Sequence, residues 1–552
     1  MEGTEDIEIF KSILPCDPSK IPNVPLTDYI FKFLRKNLHV VADNPWLFDV
    51  CSGKKVLFKE VEELAKKVAS GLARRGFSKG DIMYFVSFDI VDIGILQLAV
   101  WLLGGATRGS FQIEEPEEFQ RQMNEVQCKF VAVDCETVQS IKKAISLANM
   151  DCTIINVGDA DIGGALKFSE LSNDDGTAFP ENVEIDPKND VLLICNTSGS
   201  TGTPKGVMHT HETVLSVMAC FEGMLAESHD ESILITASNF AISNAWTSSV
   251  YLATGNTMYC IGRYRKEEFL DHVLKFKPRK LFLYPYISSW LARSNELQKH
   301  DLSFIKDISL GGSVVDPTTM RLLQKAFPKA YINLAYASTE TMGVSITLNS
   351  ARFQLPLFGT SPDGEEMVAS GVLLPLVQAK VIDLESKKLL GRNKLGKLYV
   401  KATHIMKGYL VHKGREPNRS CFDEEGWFDT GDVAFFDSTG QLFVRERVSS
   451  MFKYYMHFVN PSEIEAILQE HPAVQMACVI GVPNKETTNL AKAIVVLKEG
   501  NTTSEEELLK LVADKLPFYK HLHGGLQFVD SLPENKGRKL DRIAITKIFA
   551  RA

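Results

Sequence analysis

Residues 197–206 read Thr-Ser-Gly-Ser-Thr-Gly-Thr-Pro-Lys-Gly, directly after the apolar run Val191-Leu-Leu-Ile-Cys195. The nine positions from Thr197 to Lys205 hold five hydroxyl side chains, two glycines and one lysine. A strand that empties into such a loop can wrap a polyphosphate. Glycine lets the backbone turn with positive φ and approach a ligand closely. Thr197, Ser198, Gly199, Ser200, Thr201 and Gly202 then offer backbone N–H groups and hydroxyls to phosphate oxygens, and Lys205 adds a point charge. The plainer alternative is a flexible surface loop. The strand before the loop and the Pro204-Lys205-Gly206 stop after it favour phosphate.

Spacing excludes a Walker A loop, which needs a glycine five residues after its first and then Lys-Ser/Thr. Counting from Gly199, the glycine position is Pro204, and Gly206 follows Lys205.

Around this stretch, helical and strand patterns alternate through the first 400 or so residues, which predicts mainly parallel sheets wrapped by helices. Glu60 to Arg74 carries Val61, Leu64, Val68 and Leu72 on one helix face, with Gly76 as its stop. Ile82-Met-Tyr-Phe-Val86 reads as a buried strand. The apolar run Ile93 to Ala106 is too short to span a bilayer and reads as a core helix. Near Gly396-Lys-Leu-Tyr-Val400 the pattern becomes strand-rich, predicting a small β subdomain. The clearest domain break falls at Arg447-Val-Ser-Ser450, giving an N-terminal domain 1–447 and a C-terminal α+β lid 448–552. In the lid, Asn460-Pro461 opens a helix, Ala477–Ile480 and Ala493–Leu497 read as strands, and Ser504 with Glu507 forms a capping box.

Bulk properties narrow the function classes. The chain has 552 residues, 45% hydrophobic and 24% charged, as ordinary globular proteins do. A net charge of −8 argues against non-specific binding to nucleic acid or anionic membrane. Ten cysteines are dispersed with no C-x-x-C pair, so no zinc ribbon or redox dithiol is indicated and a reducing, intracellular compartment is expected. The start, Met1-Glu-Gly-Thr-Glu-Asp6, lacks the apolar core of a signal peptide.

The phosphate loop resembles that of the adenylate-forming superfamily of acyl-CoA synthetases, coumarate-CoA ligases and beetle luciferases. Four further segments carry the resemblance in the family's order: Tyr336-Ala-Ser-Thr-Glu340, Gly426-Trp-Phe-Asp-Thr-Gly-Asp432, Arg447 with Pro461-Ser-Glu-Ile-Glu465, and Lys536-Gly-Arg-Lys-Leu-Asp-Arg542. His523-Gly-Gly-Leu-Gln-Phe-Val-Asp530 is similar to the luciferase-like branch, which includes insect acyl-CoA ligases.

The resemblance implies roles residue by residue. Ser198, Thr201 and Lys205 would hold the β- and γ-phosphates. Tyr336 would stack on adenine beside the turn Gly311-Gly312-Ser313. Thr339 would donate to the α-phosphate, and Glu340, with Thr201, would serve Mg²⁺. Asp432 would accept from the ribose hydroxyls, with Arg447 nearby. Lys539 would bridge the substrate carboxylate and the α-phosphate when the lid closes. His211 would be structural. ATP, Mg²⁺ and coenzyme A would be required, the partner would be a small carboxylic acid, and the protein would be a monomer.

The chain also departs from the family. Phe240 and Ala241 stand where luciferases have paired histidines, in a segment expected to border the acyl pocket up to Trp246. Phenylalanine cannot donate a hydrogen bond, so slower adenylation is expected. Met456 replaces a glycine beside the incoming pantetheine, and Tyr455 replaces a lysine important for luciferase oxidation. These changes weigh against the CoA step and more heavily against light emission. Ser449 and Arg538 replace a hinge-region residue and a glycine before the catalytic lysine. The resemblance points to peroxisomes, whereas the ending Ala550-Arg-Ala552 is a poor import signal and leaves the cytoplasm open. The leading expectation is an acid–thiol ligase acting on a fatty or aryl acid. A luciferase-type monooxygenase and a non-catalytic nucleotide- or acyl-binding relative stay open.

Overall fold

The computed structural model describes residues 8–197, 204–221, 229–236, 238–348, 355–412, 416–455, 457–534 and 540–550. The fold is mixed α/β, with parallel-sheet layers wrapped by helices, an antiparallel β subdomain and a separate C-terminal α+β unit.

Among the described residues, an eight-stranded sheet holds five consecutive parallel neighbours beside the phosphate hairpin. Its centre is Ile82–Val86, flanked by Ala106–Gly109 and Phe130–Val133. Every side chain of Ile82–Val86 is buried, as its unbroken apolar run predicts. A nine-stranded sheet has parallel strands from Pro45–Asp49 through Tyr331–Tyr336. Between these sheets lies one continuous core, built on Trp46, Phe58, Phe85, Trp101 and Leu252.

The expected helix of residues 60–74 spans Phe58–Arg74. The run Ile93–Ala106 does not form one helix. The helix is Ile90–Leu102, opened by Asp89, whose carboxylate accepts from Asp92 N at 2.8 Å. Gly104, at φ +69°, turns the chain, and Ala106 already belongs to a strand. All of Ile90–Trp101 is buried, so the helix is apolar on every side because protein surrounds it. No helix among the described residues is long and apolar enough to cross a membrane.

The antiparallel subdomain orders Phe10–Lys11, Gln378–Ile382, Gly396–Lys401, Phe428–Phe436 and Leu442–Arg447 side by side. Its last strand ends at Arg447, and the next sheet, in the C-terminal unit, begins with Phe452–Tyr454. There Pro461–Glu470 is a helix capped by Asn460, whose side chain accepts from Ser462 N. The expected strands lie within the long hairpin Val474–Asn484 and Thr488–Leu497. The expected capping box is only half made. Ser504 accepts from Glu507 N at 3.1 Å, but the Glu507 carboxylate accepts from Thr503 Oγ1 and pairs with His471 instead.

A buried ion network joins the two units. Arg445 meets Asp363 at 2.8 Å and Glu365 at 2.7 Å from the body, and Glu463 at 3.4 Å from the helix Pro461–Glu470. Lys520 closes on Glu463 at 2.7 Å. Burying such charges loses hydration that their attraction roughly restores.

Candidate active site

The Val191–Thr197 strand does not simply empty into a loop. It turns back as an antiparallel hairpin, and Lys205, expected as part of a stop, opens the return strand Lys205–Thr210 opposite Thr197. Side chains beneath hold both ends. Asn196 Nδ2 donates to Gly109 O at 3.1 Å and Gln122 Oε1 at 2.9 Å, while buried Arg108 donates to Asn196 Oδ1 at 3.2 Å. Arg121 Nη2 donates to the Pro204 carbonyl at 2.9 Å. Ser198, Gly199, Ser200, Thr201 and Gly202 lie outside the described residues, as do Lys539 and Met456.

A cavity of about 1230 Å³ opens beside this hairpin, at the seam between the body and the C-terminal unit. Thr197, Lys205, Gly312, Tyr336, Glu340, Asp432 and Arg447 all line it. From the other side come Glu534 and Leu540, which flank the undescribed segment 535–539 and pair with each other as a bridge.

Asp432 is aimed by its own strand. Gly431, at φ +73°, kinks Phe428–Phe436 where a side chain would be strained. Thr430 Oγ1 donates to Leu398 O and accepts from Asp432 N at 3.1 Å. The carboxylate of Asp432, a residue 6% exposed, meets Arg447 Nε at 3.0 Å through Oδ1 and accepts from the Tyr336 hydroxyl through Oδ2. Burial pushes its pKa up, and the Arg447 charge and the Tyr336 hydrogen bond pull it back. Burial and the neighbouring carboxylate raise the Tyr336 phenol well above its ordinary range, so it stays a donor. Each carboxylate oxygen keeps a second lone pair for a ligand hydroxyl.

Glu340 is held at the turn after Tyr331–Tyr336. Its Oε1 accepts from Tyr409 Oη at 2.8 Å, and its carbonyl accepts from Met406 N at 2.8 Å. Two buried histidines bracket it. His209 Nε2 donates to Thr339 O at 2.7 Å, and His404 Nε2 donates to Gly343 O at 2.8 Å. Among the described residues no group of three or more metal-ligating side chains occurs. One carboxylate nevertheless suits Mg²⁺, which usually takes one or two carboxylates together with phosphate oxygens.

Other expected residues stand apart from the cavity wall. Thr339 is set in the turn, its carbonyl tied to His209. Gly311 ends its strand one residue before the lining Gly312. Phe240 packs edge-on against Phe111, ring centroids 4.5 Å apart, so Phe111 faces the cavity and Phe240 backs it. Ala241 caps the helix Ile242–Thr254. Tyr455 is 52% exposed at φ +53°, on the hairpin Phe452–Tyr454 and His457–Val459. His211 accepts from Leu26 N at 3.0 Å through Nδ1, a structural contact.

Sequence reading missed the roles of Tyr409, His209 and His404. Tyr409 sits in the short strand Gly408–Tyr409, which pairs with Val207 and Met208 across about 200 residues of chain, a separation no local pattern reveals. His209 lies in a strand buried on both faces after Lys205, so no alternation of polar and apolar positions marks it.

Burial lowers the pKa of His209, His211 and His404 each to about 4. An unfolded histidine takes its proton near 6.5. The folded state is therefore fully favoured above that pH, and the advantage is lost as pH falls toward 4. His404→Gln keeps an amide donor for Gly343 O but cannot titrate. It is expected to flatten the fall in thermal midpoint between pH 6.5 and 4, measured against wild type. Parallel curves would contradict this.

Comparison with known proteins identifies the family. A family model described as AMP-binding enzyme matches residues 34–410, and one described as AMP-binding enzyme C-terminal domain matches residues 463–539. Luciferin 4-monooxygenase of Nipponoluciola cruciata is 33% identical over 373 residues, 67% of this chain and 65% of that protein. A 4-coumarate–CoA ligase of Pinus taeda is 28% identical over 533 residues, 95% of this chain and 96% of that protein. The fold is similar to that of ATP-bound MatB from Rhodopseudomonas palustris, with a TM-score of 0.81 at 22% identity over 96% of this chain and 99% of that one. With a model match over most of its length, the chain belongs to the AMP-binding enzyme family of the adenylate-forming superfamily.

Proposed function

We propose that the protein is an acid–thiol ligase that activates a fatty or aryl carboxylic acid with ATP and passes the acyl group to coenzyme A. The observation that carries the reading is the buried Asp432 carboxylate, held by Arg447 and Tyr336 on the wall of a cavity that also receives Lys205 and Glu340. A vicinal diol suits Asp432, polyphosphate suits Lys205 and the hairpin loop, and a phosphate-borne Mg²⁺ suits Glu340.

In the first step a substrate carboxylate oxygen bonds to the α-phosphorus, and the bond to the departing pyrophosphate breaks. Negative charge grows on the non-bridging and leaving oxygens, where fixed cations stabilise it most. Lys205 and Lys539 take that role, and Mg²⁺, when bound, supplies further Lewis-acid stabilisation. In the second step a thiol attacks the acyl carbon, the carbon–sulfur bond forms, the acyl carbon–oxygen bond to AMP breaks so that AMP leaves, and the thiol proton passes to solvent. Phe111, backed by Phe240, gives the cavity an apolar wall suited to the acid's non-polar part.

Incubation with ATP, Mg²⁺, CoA and a panel of acids, followed by mass spectrometry, tests the reading. Acyl-CoA with AMP is the expected product. Adenylate without thioester would confine the protein to the first step. Met456→Gly is expected to raise thioester yield several-fold without changing pyrophosphate exchange, because a methionine side chain fills space where a glycine backbone admits a thiol arm. Equal thioester yields from the two proteins would remove Met456 from that role.

A further inference from the structure

Lys205 and Glu340 carry opposite charges on the wall of one cavity, yet among the described residues no ion pair joins them. Tyr409 touches both. Its hydroxyl donates to Glu340 Oε1 at 2.8 Å, and the Lys205 ammonium lies over its ring, 5.1 Å from the centroid. We propose that Tyr409 is a positioning residue that keeps the phosphate lysine and the metal-facing carboxylate apart, so that both charges remain available to a metal–nucleotide. The inference rests on the nucleotide reading of the cavity and adds a role to it.

The physical case is a choice between two arrangements. Lys205 is exposed at the cavity edge and Glu340 is buried in its wall, and at the intermediate dielectric of such an edge an ammonium and a carboxylate within reach still attract. Direct contact would neutralise both groups. Lys205 would be turned from the phosphates, and Glu340 would lose the charge a divalent cation needs. Tyr409 offers each a weaker substitute: a ring face for the cation and a hydroxyl for the anion. Either is readily exchanged for a phosphate or a metal.

The backbone fixes the tyrosine between them. Gly408–Tyr409 pairs with Met208 and Val207 of the strand that Lys205 opens, and Leu410 N donates to Gly206 O at 2.7 Å. Three residues earlier, Met406 N donates to Glu340 O. One short segment thus spaces the hairpin from the Glu340 turn.

The two functions of the ring separate by substitution. Tyr409→Phe keeps the face and loses the hydroxyl. Tyr409→Leu loses both. Calorimetric ATP binding, with and without Mg²⁺, reads the result without any turnover. Tyr409→Leu is expected to weaken ATP binding about tenfold without metal, because Lys205 closes on Glu340. Tyr409→Phe is expected to retain metal-free affinity but to lose much of the gain that Mg²⁺ confers. In a Glu340→Gln background the lysine has no carboxylate to close on, so Tyr409→Leu is expected to cost at most two- to threefold. That non-additivity distinguishes spacing from general damage. Equal losses in both backgrounds, or equal behaviour of the Phe and Leu variants, overturn the proposal while leaving the ligase reading intact. Wild-type protein that binds no ATP overturns both.

Discussion

Lys539→Ala lowers acid-dependent pyrophosphate exchange by roughly a hundred- to a thousandfold, the range for removing one preorganised transition-state donor, while ATP binding survives. The expectation rests on Lys536-Gly-Arg-Lys539-Leu-Asp-Arg542, and Lys539 itself lies outside the described residues. The described residues on either side of that segment, Glu534 and Leu540, line the cavity. Arg542 anchors the start of the helix Arg542–Phe549, with its guanidinium on Glu465 at 2.7 Å. A lysine brought in by the C-terminal unit has its greatest effect where charge develops on the α-phosphate, so the rate falls and ground-state affinity does not. Exchange rates and calorimetric ATP binding, measured on the same preparation, check this. Loss of both together, or of neither, would remove Lys539 from the catalytic role.

The second large effect is on nucleotide affinity. Asp432→Ala weakens ATP binding by about 2–3 kcal/mol, the scale of charge-assisted hydrogen bonds to two hydroxyls. That is roughly a 30- to 150-fold rise in Kd. Part of the loss comes from the partners left behind, since the Tyr336 hydroxyl and Arg447 both rest on this carboxylate. Asp432→Asn keeps the shape and one acceptor, and its affinity is expected to fall between the two. Unchanged ATP affinity in the alanine variant would show that the ribose does not sit here.

Much of the frame was legible in the sequence because its signals are local. The helix Phe58–Arg74 and the strand Ile82–Val86 follow from their periodicity, and Asn460-Pro461 opens a helix where capping chemistry requires one. The boundary at Leu102 was not legible, since an unbroken apolar run does not show where a buried helix stops and a buried strand starts. Glu507 likewise had the spacing of a capping box and yet found Thr503 and His471, contacts set by the neighbouring helix end.

In the site, Tyr336, Glu340 and Asp432 could be found because each sits in a motif. The groups that hold the Glu340 turn could not. His209, His404 and Tyr409 act on backbone or on Glu340 from positions 61 to 130 residues away, across contacts that only the folded sheets create. Phe240 was placed beside the substrate by alignment, whereas packing puts Phe111 in front of it.

The central claim is that this cavity makes an acyl adenylate. Acid-dependent exchange of labelled pyrophosphate into ATP, run with Mg²⁺ across aryl and medium- to long-chain fatty acids, tests it most directly. The account predicts exchange that requires one class of acid, disappears in Lys539→Ala and is independent of CoA. Tight ATP binding with no exchange for any acid would contradict it and leave a protein that binds the nucleotide without using it.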